Sequence, residues 1–169
     1  MCDKTLLEDT FQNMYNNTLR RFETDRKGLS QRVQVTTTMF IPSIDNNSLE
    51  VRAKTRTNNG TYDSIIYFEN VKYADAQTNG AISIEGADGG EYFILPIPKN
   101  TNVKVACTCL DFYYTFAAWN DGKNSLFGDA PDPYVRKTDR APRNPTHTTG
   151  LCKHLLKFFD SLIRDKIIR

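Results

Sequence analysis

The stretch Cys107-Thr108-Cys109 is followed, after 42 intervening residues, by the stretch Cys152-Lys153-His154. Together they contain three of the four cysteines and one of the two histidines in the chain. Three thiolates and one imidazole are the number and kind of ligands that a tetrahedral structural zinc site requires. One ion held by both stretches would join two distant parts of the chain, so this pattern predicts the architecture of the chain's second half.

The local geometry of each stretch suits a shared metal ion. Cys107 and Cys109 lie two residues apart in an extended segment, so both side chains leave the same face. Cys152 and His154 can share an ion only where Cys152 stands at the start of a helix and His154 in its first turn. Four protein ligands leave no position for water or substrate, which predicts structural rather than catalytic zinc.

The remaining cysteine and histidine are weaker candidates. Cys2 lies far from both stretches and is interpreted as a spare thiol, and His147 lies in a loop rich in proline and threonine. A simpler alternative stays open, in which three reduced, buried cysteines lie beside an ordinary histidine. Disulfides are the poorer interpretation, because no signal peptide is visible and Cys107 is too close to Cys109 for a comfortable bridge.

Length and composition indicate one ordinary globular domain. The 169 residues are 39% hydrophobic and 25% charged, values typical of folded rather than disordered chains. The net charge of +2 is too small to imply a polyanionic partner by itself. No apolar run reaches the length of a membrane span, so we expect a protein made in the cytoplasm, without a membrane partner.

Residues 4–27 have the apolar spacing of an amphipathic helix. Thr5 with Glu8 fits a capping box at its start, and Gly28 fits a stop at its end. Residues 1–28 are therefore predicted to form an N-terminal helical arm. Its apolar stripe packs either on the protein's own core or against a neighbouring subunit.

The following residues, 29–169, form the predicted single β-rich zinc-binding domain. From about residue 31 to 106 the hydrophobic period changes to two, which is typical of strands with one buried face. Asn58-Asn59-Gly60 and Asp88-Gly89-Gly90 are turn signals between such runs. We predict an α+β fold with an antiparallel β-rich middle, arranged as a sheet, a small sandwich or a barrel, and with the C-terminal helix held to a strand end by the zinc site. The predicted strands are 33–39, 49–55, 64–68, 81–84, 91–97 and 102–107.

An aromatic segment, 111–120, follows the first metal-binding stretch and is predicted to be helical. Phe112, Phe116 and Trp119 share one face at helical spacing. We expect this face to pack in the core. A base-stacking platform is the lesser alternative, because the segment contains no basic residue.

Residues 128–150 separate the aromatic segment from the second metal-binding stretch. They include four of the seven prolines and four cations, so neither a helix nor a central strand fits them. We predict a proline-rich loop that is either solvated or in contact with a partner. The chain then ends in a predicted amphipathic helix, 151–168, whose apolar face is directed towards the core.

The order C-x-C followed by C-x-H at the start of a helix resembles the SWIM-type zinc finger. The similarity covers roughly residues 103–160, and the sequence from Cys152 to Leu156 is very like the second half of that motif. The spacer is longer than is usual in the family, whose members bind DNA or other proteins. The resemblance implies four zinc ligands: Cys107, Cys109, Cys152 and His154.

Three longer stretches are also similar to small virion proteins of tailed bacteriophages that carry an interrupted site of this kind. They are 109–116, 138–145 and 150–155. This resemblance implies a non-enzymatic, zinc-stabilised structural protein of the portal, neck, tail or capsid, located in the virion. Its expected partners are other virion proteins, in a homo-oligomeric ring or array, and no small-molecule substrate is expected.

A nucleic-acid-binding zinc module is the second hypothesis, and an enzyme is the weakest. In such a module the cations of the proline-rich loop and of the last helix would contact phosphates. An enzyme would need a nucleophile–base pair or an open metal position, whereas Glu85, Asp88 and Glu91 flank a turn and are interpreted as surface charge. The cations concerned are Arg136, Lys137, Arg140, Arg143, Lys153, Lys157, Arg164 and Lys166.

Overall fold

The computed structural model describes residues 9–132 and 135–169. Within them, seven strands form two antiparallel sheets: β1 (Gln34–Ser43), β2 (Ser48–Thr57), β3 (Gly60–Phe68), β4 (Tyr73–Ala74), β5 (Ile82–Glu85), β6 (Glu91–Ile94) and β7 (Val103–Cys107). The larger sheet has the order β1-β2-β3-β7, and the smaller sheet has the order β4-β6-β5. Together with the helices described next, these sheets confirm the predicted α+β fold.

The helices are α1 (Phe11–Arg20), α2 (Arg26–Ser30), α3 (Leu110–Phe112), α4 (Ala118–Gly122) and α5 (Lys153–Arg164). A π-helical turn, Tyr113–Ala117, joins α3 to α4. Every helix in the described part of the chain is too short or too polar to cross a membrane.

Both predicted turns connect neighbouring strands. The turn at 58–59 joins β2 to β3, which pair from Thr57 with Gly60 to Leu49 with Phe68. The second turn joins β5 to β6. β6 ends at Ile94, earlier than predicted, and β4 escaped prediction because two residues are too few to show an alternating pattern.

One face of the larger sheet is buried beneath α5. In β2 the buried positions alternate with exposed ones: Val51 is fully buried, Ala53 nearly so and Thr55 fully, while Arg52 and Lys54 between them are exposed. α5 contacts all four strands of this sheet. The side chains that α5 buries most completely are Leu155, Leu156, Phe158, Phe159 and Leu162.

The predicted helix over 4–27 is wrong in its extent. Thr10 caps α1 by accepting from the backbone N–H of Asn13 over 3.2 Å. The chain leaves the helix at Arg21, and Asp25 starts α2 by accepting from the N–H of Gly28 over 2.8 Å. Gly28 therefore lies inside a helix and is not a stop. The proposed capping residues Thr5 and Glu8 lie outside the described residues.

The apolar stripe of α1 packs on its own chain. Phe11 and Met14 are buried. The Phe11 ring stacks on that of Phe159, with ring centroids 4.3 Å apart and planes inclined by 22°. This contact joins α1 to α5 and contributes to the same core as the larger sheet.

The aromatic segment is helical, but its predicted common face is wrong for one residue. Phe112 and Phe116 are buried, whereas Trp119 is 36% exposed and stacks on His147 with centroids 4.1 Å apart. The π-helical turn accommodates one residue more than an α-helical turn, so the inward position passes from Trp119 to Asn120. Asn120 is fully buried.

The C-terminal helix is shorter than the predicted range 151–168. α5 ends at Arg164, and Lys166 adopts a left-handed φ of +62° that turns the chain away from the helix axis. Ile167 then accepts a backbone hydrogen bond from Ile97 over 2.7 Å. The last residues are therefore tied to the loop before β7 and do not continue the helix.

Replacing Phe11 by alanine is expected to lower the free energy of unfolding by about 3 kcal/mol, because the stacked ring leaves a cavity beside Phe159. Leu19→Ala is the control, because this side chain lies on the same helix and is 42% exposed. It should change the free energy of unfolding by about 0.5 kcal/mol or less. Denaturant unfolding followed by circular dichroism compares the two variants, and equal effects would contradict the packing of α1 on the core.

Candidate metal centre

The first candidate metal-binding stretch, residues 107–109, lies at the end of β7. Cys107 is the last residue of the strand, and Cys109 caps α3 with an extended backbone (φ −77°, ψ 151°). Between them, the N–H of Thr108 donates to the carbonyl of Asp63 over 3.0 Å, which prolongs the pairing with β3. The chain therefore stays extended through both cysteines, as their spacing predicts.

The second stretch lies at the start of α5. Cys152 is the N-cap and has an extended backbone (φ −72°, ψ 169°), while His154 lies in the first helical turn. The carbonyl of Cys152 accepts from the N–H of Leu156 over 3.0 Å. This is the placement that a shared ion requires of an x-spaced pair beside a helix.

The two stretches meet in one buried cluster. The sulfurs of Cys107, Cys109 and Cys152 and a ring nitrogen of His154 all lie within 4.8 Å of one another. His154 Nδ1 is 3.9 Å from Cys107 Sγ and 3.9 Å from Cys152 Sγ. None of the four residues is more than 9% exposed.

This Cys3His cluster could hold a metal ion. In a tetrahedral zinc site, bond lengths of about 2.3 Å to sulfur and 2.0 Å to nitrogen place those two atoms roughly 3.6 Å apart. The observed separations of 3.9 Å need only a small contraction to reach that value. The other two candidates do not join the cluster: His147 stacks on Trp119, and Cys2 lies outside the described residues.

Two thiols of the cluster, Cys107 and Cys152, have pKa values shifted in opposite directions. Hydrogen bonds with Cys109 and Cys152, and with the Ser64 hydroxyl 3.6 Å away, lower the pKa of the Cys107 thiol to about 4. Burial raises the pKa of the Cys152 thiol, and the neighbouring sulfurs act in the same direction. The sulfurs share their protons as one cluster, and ligation by all three as thiolates requires a cation to offset their mutual repulsion.

The imidazole of His154 is oriented by packing. Nδ1 faces the sulfurs, and the Tyr62 ring lies against the imidazole with centroids 4.4 Å apart. Nε2 is buried and has no hydrogen-bond partner among the described residues. Metal-binding histidines usually donate from the second nitrogen to a fixed acceptor, so here the aromatic contact takes over the orienting role.

The approach to Cys152 is fixed by residues that the sequence analysis missed. The amide nitrogen of Asn120 donates to the carbonyl of Gly150, and its amide oxygen accepts from the N–H of Gly150, each over 3.0 Å. The N–H of Leu151 donates to the Thr18 hydroxyl oxygen over 2.8 Å. A Cβ on Gly150 would lie 2.4 Å from the Phe116 ring, so only glycine fits there. No local sequence signal marks these contacts, because each joins residues far apart in the chain.

The base of the proline-rich loop is held on the aromatic segment in the same way. Asn144 is buried, and its amide nitrogen donates to the carbonyls of Thr115 and Thr148 over 2.9 Å and 2.7 Å. The Arg143 guanidinium lies 5.5 Å from the centre of the Tyr114 ring. Residues 135–143 are exposed, so the loop leaves a fixed base and enters solvent.

Comparisons of the chain with family models, with curated proteins and with solved structures found no match. The buried cluster therefore stands on its geometry alone. The likeness to SWIM-type fingers and to phage virion proteins remains a resemblance of sequence motifs.

Asn120→Ala is expected to lower the free energy of unfolding by about 3 kcal/mol, because both backbone groups of Gly150 lose their buried partner. Asn17→Ala is the matched control, since the Asn17 side-chain amide donates one half-buried hydrogen bond of 3.2 Å to Thr149 within the described part of the chain. It should cost about 1 kcal/mol or less. Denaturant unfolding measures both changes, and an Asn120 variant no less stable than the control would show that the Gly150 contacts contribute little.

Proposed function

We propose that Cys107, Cys109, Cys152 and His154 bind one zinc ion in a structural role. The observation that supports this proposal is the buried Cys3His cluster, which supplies the four ligands that a tetrahedral structural zinc site needs. Zinc suits this donor set, because it is borderline-soft and accepts thiolates together with imidazole. Bound there, the ion would cross-link the end of β7 to the start of α5.

We propose further that the chain is a non-enzymatic structural protein of a tailed-phage virion and acts through protein–protein assembly contacts. Two observations support a binding role over catalysis. The cluster is shielded from substrates, and the exposed part of the proline-rich loop, 135–143, offers a surface to partners. The virion assignment rests on the motif resemblance at 109–116, 138–145 and 150–155.

Metal analysis tests the zinc centre. Protein purified without added zinc is expected to contain about one zinc ion per chain, and Cys152→Ser should lose both the ion and much of its stability, because a structural zinc contributes on the order of 10 kcal/mol of apparent folding free energy. Cys2→Ser is the matched control, since the same exchange at the predicted spare thiol should keep the ion. A well-folded wild-type protein without metal would overturn the proposal.

Light scattering and mass spectrometry test the assembly role. We expect concentration-dependent oligomers of the purified protein, and peptides of this chain in purified phage particles. A protein that stays monomeric at high concentration and is absent from particles would remove the assignment. Salt-dependent binding to DNA or RNA in the same preparation would instead favour the nucleic-acid-binding module.

A further inference from the structure

Arg26 of α2 is a buried cation that reaches the helical turn beside the metal-binding cysteines. It is 6% exposed, and its guanidinium holds both carboxylate oxygens of Asp111, from Nε over 3.1 Å and from Nη2 over 3.0 Å. The same group lies over the rings of Phe22 and Phe116, 4.9 Å from each centroid. The two hydrogen bonds to Asp111 and the contacts with two rings together fix the orientation of the planar guanidinium.

The partner of Arg26 lies in the turn that orients one sulfur. Asp111 is the second residue after Cys109 and also accepts from the Thr115 hydroxyl over 3.1 Å. In the same turn, the N–H of Phe112 donates to Cys109 Sγ over 3.3 Å. A rotation of this turn would therefore move the donor that faces the Cys109 sulfur.

Among the described residues, Asp111 is the hydrogen-bond partner of the Arg26 guanidinium. Its Nη1 lacks a hydrogen-bond partner among the described residues, so the orientation of the buried guanidinium is set by Asp111 and the two rings. Breaking a pair of this kind leaves the remaining buried charge uncompensated. Arg26 and Asp111 are therefore expected to keep their relative positions.

We infer that Arg26 is a positioning residue for the metal centre and acts on Cys109 through Asp111. The inference rests on the proposed zinc site and adds to it a link from the N-terminal helices to one ligand. Residues that orient metal ligands commonly affect affinity by 10–100-fold on mutation. Arg26 lies more than 80 positions before Cys109 in the chain, so its contribution depends entirely on the tertiary fold.

Zinc affinity measured by competition with a chromophoric chelator tests this role. Arg26→Met keeps much of the aliphatic side chain but removes the guanidinium that donates twice to Asp111. It should therefore weaken zinc binding by on the order of tenfold. Arg26→Lys keeps the charge without the bidentate geometry, so an intermediate affinity is expected. If Arg26→Met does not fold, Asp111→Asn serves in its place, because the amide has the size of the carboxylate and keeps an oxygen that can accept from the Arg26 guanidinium.

The absorption spectrum of the cobalt(II)-loaded protein reports on the metal ligands, and a loss of stability alone does not change it. Thiolate ligation gives charge-transfer absorption, and misplacement of Cys109 should reduce its intensity at saturating cobalt by roughly one thiolate in three. Lys27→Met is the matched control. It removes the neighbouring cation of α2, whose Nζ donates to Asp160 and Tyr15 over 2.6 Å each and not to Asp111.

The control variant should lose stability and keep wild-type zinc affinity. Weaker zinc binding and a reduced cobalt spectrum in the Arg26 or Asp111 variant, but not in the Lys27 variant, support the positioning role. Wild-type affinity and spectrum in the Arg26 and Asp111 variants would overturn it while leaving the zinc site intact. A wild-type chain that binds neither ion would overturn the zinc site and this inference together.

Discussion

The packing of α5 against the inner face of the larger sheet joins the C-terminal helix to all four strands of that sheet. Leu155, Phe158 and Phe159 are fully buried there. Burial of each such side chain stabilises the fold by about 1.5–3 kcal/mol. Their sum is comparable with the roughly 10 kcal/mol of a structural zinc ion. Because α5 begins beside Cys152, apolar packing determines which parts of the chain meet, and the proposed ion would determine how firmly they are held.

Features governed by local patterns could be predicted from the sequence. Alternation in β2 and β3 marks the buried face, because successive side chains of a strand point to opposite sides. The cluster was also predictable, because few cysteines and histidines are present and their spacing suits a strand end and a helix start. Cys152 had to lie at the beginning of a helix for His154 to reach the same point, and the structure places both residues so.

Features governed by distant contacts could not be predicted. The helical period assumes one uniform helix, so the predicted helix continued across residues 21–25. In the structure the first helix has ended there, and Asp25 starts a second helix. The same uniform period placed Trp119 in the core, although the π-helical turn gives that position to Asn120. Both departures accompany side-chain contacts to remote segments, as between Arg26 and Asp111 or Asn120 and Gly150.

These remote polar contacts give the proline-rich loop a base with one conformation. A buried amide is costly when it lacks partners, so Asn120 and Asn144 are compatible only with the backbone arrangement that satisfies them. Apolar packing alone would allow several arrangements of similar energy. The exposed residues 135–143 therefore leave a base that is already ordered. For a partner of the kind proposed above, a loop base that is already held would reduce the loss of conformational entropy on binding and so favour tighter binding.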